Sequence, residues 1–262
     1  MLKGWNMKFT IIFAALISFA LALPSTGGAE KNDKKATTSV QNEKLLYESI
    51  KLIFDGQIKL GFERLLPFAN KGNLEAKFYV GMVLTHNTFS SLNFRDHEND
   101  KAKRRKSSPL FIEKNWKGVP TDNRRGLRLI KEAASGGIAA ANLWLGTMYR
   151  IGLNVPKNLD KAAALFKKAA NLGYLGAYPI LAKFYADKDN PNQDFSQAYM
   201  WDHIYFQCLY HSTGLAAMIL EEMEKVKYVA NKDVRKEDIR KGKSMAKRWL
   251  QENKKLCSKI KF

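Results

Sequence analysis

Four histidines, two cysteines and one Ser-x-x-Lys quartet are the residues on which any reaction in this chain would depend. His203 and His211 stand eight apart, on roughly one face of an unbroken helix, while His86 and His97 lie far upstream. A zinc site needs three or four soft or imidazole ligands at short spacing, because the ion fixes a tetrahedral shell. Asp202 and Cys208 are near His203 but not at that spacing, so the histidines read as packing or surface groups. Ser244-Met-Ala-Lys247 has the form of an acyl-transfer serine with its lysine. The motifs that complete such a site, Ser-Asp-Asn and Lys-Thr-Gly, do not occur. No phosphate loop, dinucleotide fingerprint or nucleophile elbow is present either. The residues therefore predict no catalytic group, no metal ligand and no cofactor, and the chain reads as a non-enzyme. Cys208 and Cys257 form no Cys-x-x-Cys pair. In an oxidising compartment they could bond to each other; otherwise they are two free thiols.

Charge is the outlying property. Lys and Arg number 44 against 25 Asp and Glu, a net charge of +19. That excess favours anionic partners: acidic proteins, lipid head groups, envelope polymers or nucleic acid. The bland alternative is solubility alone. The densest cluster is Lys101-Ala-Lys-Arg-Arg-Lys106, inside the acid-interspersed run from Arg95 to Ser108. It suits either a nucleic-acid patch or a solvated loop, and Pro109-Leu-Phe-Ile112 with Trp116 follows it as an apolar docking segment.

The N-terminus has the order of an export signal. Lys3 and Lys8 precede the apolar run Phe9–Leu23, and small residues follow at Ala20-Leu-Ala22 and Gly27-Gly-Ala29. The run is short of the roughly 20 residues a membrane span needs, so it reads as a cleaved signal peptide over residues 1–29, with an uncleaved anchor as the lesser alternative. An exported protein, periplasmic or secreted, is expected. Residues 30–44 are polar and without periodicity and read as a flexible linker.

The elements behind these residues are legible from self-similarity. At a shift of 36, Leu129 falls on Leu165 and Trp201, Gly126 on Ala162 and Ala198, Gly137 on Gly173, and Tyr149 on Tyr185. At a shift of 65, Gly61 falls on Gly126, Leu65 on Ile130, Gly72 on Gly137, and Gly81 on Gly146. The two shifts differ, so an insertion separates the first copy from the second, near residues 86–123. Ala and Gly at fixed places let two helices approach closely while Leu and aromatic residues fill the gaps. Gly137 and Gly173 stand where a left-handed residue ends a helix. Asp160 reads as the N-cap of the helix that follows it, and Asn154-Val-Pro156 as the break before it. A lone helix pair cannot bury its own apolar face, so the pairs must stack.

Residues 139–177 closely resemble the Sel1-like repeat. They carry its Ala141, Leu145-Gly146, Tyr149, Gly152, Val155, Lys161-Ala162, Leu165-Phe166, Ala169-Ala170, Gly173 and Ala177. The family's aspartate is shifted, with Asn158 in its usual place and Asp160 two residues on. The next unit has Ala182 for the glycine and Asp189-Asn190-Pro191 for the turn, then regains Ala198-Tyr-Met-Trp201. The segment Asp233–Glu252 looks like a charged capping helix anchored by Trp249-Leu250. The resemblance spans about residues 45–252, leaving 253–262 as a basic tail. It implies an all-α fold, a right-handed α-solenoid of about three helix pairs plus the capping helix, related to tetratricopeptide arrays. It implies a non-catalytic scaffold or adaptor that binds a protein or peptide. The charge suggests an acidic partner, with an anionic surface as the alternative. In such arrays the first helix of each pair lines the inner surface, which nominates Phe78, Met82, Thr85, Thr147, Arg150 and Lys183 as partner-facing residues.

Overall fold

A computed structural model describes residues 33–85, 118–209, 218, 221–222, 224–229 and 231–258. The N-terminal stretch expected to be a signal peptide, the basic cluster at 101–106, His86, His97 and His211 lie outside the described residues. No strand occurs among the described residues, and no helix among them is long and apolar enough to cross a membrane. The fold is all-α, with helices packed in consecutive pairs. Contacts divide it into two compact units that meet at Asn158 and Leu159, inside the stretch read from sequence as one array.

The N-terminal unit contains α1 (Asp33–Phe54), α2 (Ile58–Asn70), α3 (Leu74–Leu84), α4 (Asn123–Ser135) and α5 (Ala139–Ile151). Helix α1 begins well inside the expected linker. Lys, Ala, Gln and Glu there are good helix formers, and they extend a helix whose later turns are docked through Ser49, Ile50 and Ile53. Helix α2 buries Ile58, Phe62, Leu65 and Ala69, a single stripe at helical spacing. Helix α3 is enclosed, touching α1, α2 and α4. Its start is fixed by Asn73, whose side chain accepts from the Ala76 N–H at 2.8 Å, and the start of α4 by Asp122, which accepts from the Arg125 N–H at 2.9 Å. Both satisfy a backbone donor that the first helical turn leaves open.

The register glycines are spent on contact. A Cβ on Gly81 would lie 2.8 Å from the Gly126 carbonyl oxygen, and one on Gly126 would lie 2.7 Å from Thr85 Cγ2. Only glycine lets α3 and α4 approach this closely. Gly72, Gly137 and Gly173, equivalent under the sequence shifts, all have positive φ (95°, 92° and 82°) and close the first helix of each pair.

The C-terminal unit contains α6 (Leu159–Asn171), α7 (Ala177–Ala186), α8 (Phe195–Leu209), a π-helical turn (Glu224–Val229), α9 (Lys236–Glu252) and α10 (Lys254–Ser258). Asp160 sits within the first turn of α6 rather than at its cap, and accepts from Asn192 Nδ2 at 2.9 Å. Its charge still suits the positive end of the helix. The Asp189-Asn190-Pro191 turn is built on buried Asn190, whose amide donates to the Phe184 carbonyl at 2.8 Å. Helix α9 closes the unit against α8, with Trp249 edge-on to Tyr178 and Trp201 at 5.8 and 6.0 Å. Gly242 makes that approach possible, since a Cβ there would lie 2.8 Å from the Ser196 carbonyl oxygen. A disulfide joins Cys208 of α8 to Cys257 of α10, with Cα atoms 4.8 Å apart.

Candidate interaction surface

The six residues nominated from sequence meet different fates. Phe78 is buried, at ring distances of 4.9 Å from Tyr79 and 6.3 Å from Trp144. Thr85 is buried too, and its hydroxyl donates to the carbonyls of Gly81 and Met82 at 3.0 and 3.1 Å. Both correct the expectation of partner-facing positions. Counting from the register glycine assumes an open face on α3, and three neighbouring helices enclose that helix. Met82, Thr147 and Arg150 are half-buried, and the Thr147 hydroxyl donates to the Leu143 carbonyl at 3.1 Å. Lys183 is exposed, but it belongs to the C-terminal unit, apart from the other five.

A different surface emerges between α3 and α4. A shallow cleft of about 560 Å³ is lined by Lys77 of α3 and by Arg124, Leu127, Arg128, Lys131, Glu132 and Ser135 of α4. Arg124, Arg128, Lys131 and Ser135 are exposed and follow one another at i, i+4, i+7 and i+11, so they form one stripe. Opposite them, Leu129, Ile130, Ala133 and Ala134 are buried. The single acid of the cleft, Glu132, pairs with Lys77 at 2.8 Å and only loosely with Arg128 at 4.0 Å. Arg124 and Lys131 have no ionic partner among the described residues, leaving the cleft strongly cationic. Its signal was present in the sequence as the spacing of 124, 128, 131 and 135. The contribution of Lys77, 47 residues or more upstream of the α4 residues, was not.

The C-terminal unit holds a polar cluster that sequence reasoning also missed. Asp202 of α8 is buried and accepts from the Tyr228 hydroxyl at 2.6 Å and from the Lys227 ammonium. The Tyr199 hydroxyl donates to Glu224 Oε2 at 2.8 Å, and Lys243 Nζ of α9 donates to Glu224 Oε1 at 2.9 Å. Burial, with the negative charges of Asp202 and Glu224 nearby, pushes both tyrosines well above the usual phenol range. They remain neutral donors. Burial alone would raise the Glu224 carboxyl, but its hydrogen bonds from Lys243 and Tyr199 outweigh that and hold it below the ordinary value. His203 is held low by burial and by the charge of Lys243, and its buried Nδ1 has no hydrogen-bond partner. These groups mostly satisfy one another and fasten the π-helical turn and α9 to α8. No group of His, Cys, Asp or Glu able to hold a metal ion occurs among the described residues. Ser244 and Lys247 are both exposed on α9.

The closely approached, register-repeated helix pairs define an all-α helical-repeat protein. Two stretches of it, residues 116–138 and 139–174, match the Sel1 repeat family. Among solved structures, the chain is similar to a protective antigen of uropathogenic Escherichia coli displaying an SLR fold. That match has 16% identity, covers 77% of this chain and 51% of that one, and has a TM-score of 0.41. It is also similar to a Sel1 repeat protein from Oxalobacter formigenes, at 21% identity, 73% and 80% coverage, and a TM-score of 0.35. The chain thus spans about half the length of the first of these. No curated protein matches the sequence.

Proposed function

We propose that this chain is a non-catalytic, exported scaffold that holds a protein partner on its Sel1-repeat surface, in the periplasm or outside the cell. Sel1 repeats are generally protein–protein interaction modules. One observation carries the reading for this chain. The helix pairs of the N-terminal unit turn their apolar residues and register glycines on one another, leaving an outward face that is cationic and cleft. Such a face binds and positions; it has no converging nucleophile, base and oxyanion donor of the kind a reaction needs. The export component rests on the N-terminal order of Lys8, apolar run and small residues.

The competing reading is attachment to an anionic surface, favoured by the net charge of +19. The two are separated by capture from a nuclease-treated envelope fraction, with anionic vesicles and DNA offered in parallel, at about 0.1 and 0.5 M salt. The scaffold reading expects a discrete protein recovered in near-stoichiometric amount at the lower salt, and not displaced by vesicles or DNA. Recovery of lipid or nucleic acid alone would replace it by the surface-binding reading.

A further inference from the structure

Four helices occupy the same place in the repeat: α2, α4, α6 and α8, in register through Gly61, Gly126, Ala162 and Ala198. Where the equivalent positions lie open, as in α2, α4 and α6, a charge pattern found on one alone is not a demand of the fold. In α2 the stripe begins with Lys59 and Glu63, an i,i+4 pair at 3.9 Å that cancels itself. In α6 it begins with Asp160, and its lysine, Lys167, lies over the Tyr185 ring at 5.5 Å. In α8 the corresponding Ser196 and Met200 are buried, so that helix presents no open stripe there. Only α4 places three cations there, Arg124, Arg128 and Lys131, and two of them lack an ionic partner among the described residues. A basic excess serving solubility alone would not single out one of three open stripes.

We propose that the α3–α4 cleft is the docking site for an acidic helical segment of another protein, with carboxylates on one face at three- and four-residue spacing. This rests on the scaffold reading above and names its site. The stripe from Arg124 to Ser135 runs about 16 Å, three helical turns, and cations at i, i+4 and i+7 meet carboxylates repeating at the same interval on an aligned helix. Arg124 and Arg128 offer planar forks for bidentate carboxylate pairing. Half-buried Leu127 supplies a small apolar seat between them. Glu132 sits in the same wall, neutralised by Lys77. A carboxylate and a leucine amid the cations interrupt a continuous phosphate track, so an acidic peptide fits better than nucleic acid or a lipid surface.

The test is fluorescence anisotropy on the full exported chain. The probe is a labelled helical peptide with Glu at i, i+4, i+7 and i+11 and one Leu on that face. A second peptide has the same composition with the Glu residues spread around the helix. The wild type is expected to bind the patterned peptide roughly tenfold or more tighter than the scrambled one, the size of one good charge pair. Arg124→Glu with Lys131→Glu is expected to lose about tenfold or more. Lys188→Glu with Lys241→Glu, an equal charge change on exposed residues of the other unit, is expected to leave binding in place. Circular dichroism verifies each fold, and the milder Arg124→Gln with Lys131→Gln pair serves if the reversal fails to fold. Equal binding of the two peptides overturns the proposal. So does equal weakening by the two charge-reversed pairs, or displacement of the peptide by an oligonucleotide or phosphatidylglycerol vesicles of equal charge. Envelope-protein capture that survives Arg124→Glu with Lys131→Glu removes this site and leaves the scaffold reading standing; loss of all protein capture by the wild type removes that reading instead.

Discussion

Asp202 shows why single residues were the least legible part of this chain. In the sequence it is one acid beside a histidine. In the structure it is buried and receives a hydroxyl and an ammonium from residues 25 and 26 positions away. No local pattern announces partners supplied by an irregular turn. Replacing Asp202 with Ala leaves the Tyr228 hydroxyl, buried with its side chain, without its acceptor. A loss of about 2 kcal/mol is expected, the usual cost of such an orphan, read by urea denaturation. A result within error of wild type would mean that the clasp contributes nothing to stability. His203 makes a second prediction. Its folded pKa lies below the ordinary 6.5, so the unfolded chain binds the extra proton more readily. Stability therefore rises with pH across that interval and is lost as pH falls below about 6.5. Glu224 acts in a lower window, since its own depressed pKa matters only below the ordinary 4.5. His203→Gln should flatten the stability profile between about pH 6.5 and 4.5 relative to wild type. An unchanged slope would show that another group governs it.

Helices were far more legible, because the constraint that builds them repeats. Gly61, Gly81, Gly126 and the Ala-rich positions recur since the same close approach is made in successive pairs, and self-comparison finds them without knowledge of the contact. Gly81→Ala is expected to destabilise by about 1 to 3 kcal/mol, since the added methyl would meet backbone rather than a side chain that can turn away. Thermal melts of the purified variant measure it, and a neutral effect would contradict the α3–α4 approach described here. What self-comparison could not supply was enclosure. It placed Phe78 correctly on a helix, with Thr85 at that helix's C-cap, but could not say that α1, α2 and α4 would enclose the helix. It likewise missed the helical start at Asp33, because a helix can extend beyond its docked turns through helix-forming polar residues alone. The Cys208–Cys257 bridge is an element-scale device, closing a separation of 49 residues between α8 and α10. On the chain-entropy model it is worth roughly 4 kcal/mol. Thiol titration of unreduced, denatured protein is expected to find no free thiol; two would contradict the bridge.

Across the whole molecule, the sequence conveyed class and charge, and the fold assigned the charge to a place. The net +19 is a sum, and a sum has no direction. The helix pairs give it one in the N-terminal unit, where α4 alone among four equivalent helices presents an unbalanced cationic stripe beside α3. The central claim is that this unit is a scaffold for a protein partner, not a surface adhesive or an enzyme. Its most direct measurement is quantitative mass spectrometry of what the tagged chain captures from the proposed envelope fraction after nuclease treatment. Wild type is compared there with Arg124→Glu plus Lys131→Glu and with Lys188→Glu plus Lys241→Glu. The account predicts one or a few acidic proteins enriched by wild type and by the Lys188/Lys241 variant, and depleted by roughly tenfold or more in the Arg124/Lys131 variant. Capture of no protein by the wild type, with lipid or nucleic acid recovered in its place, would contradict it.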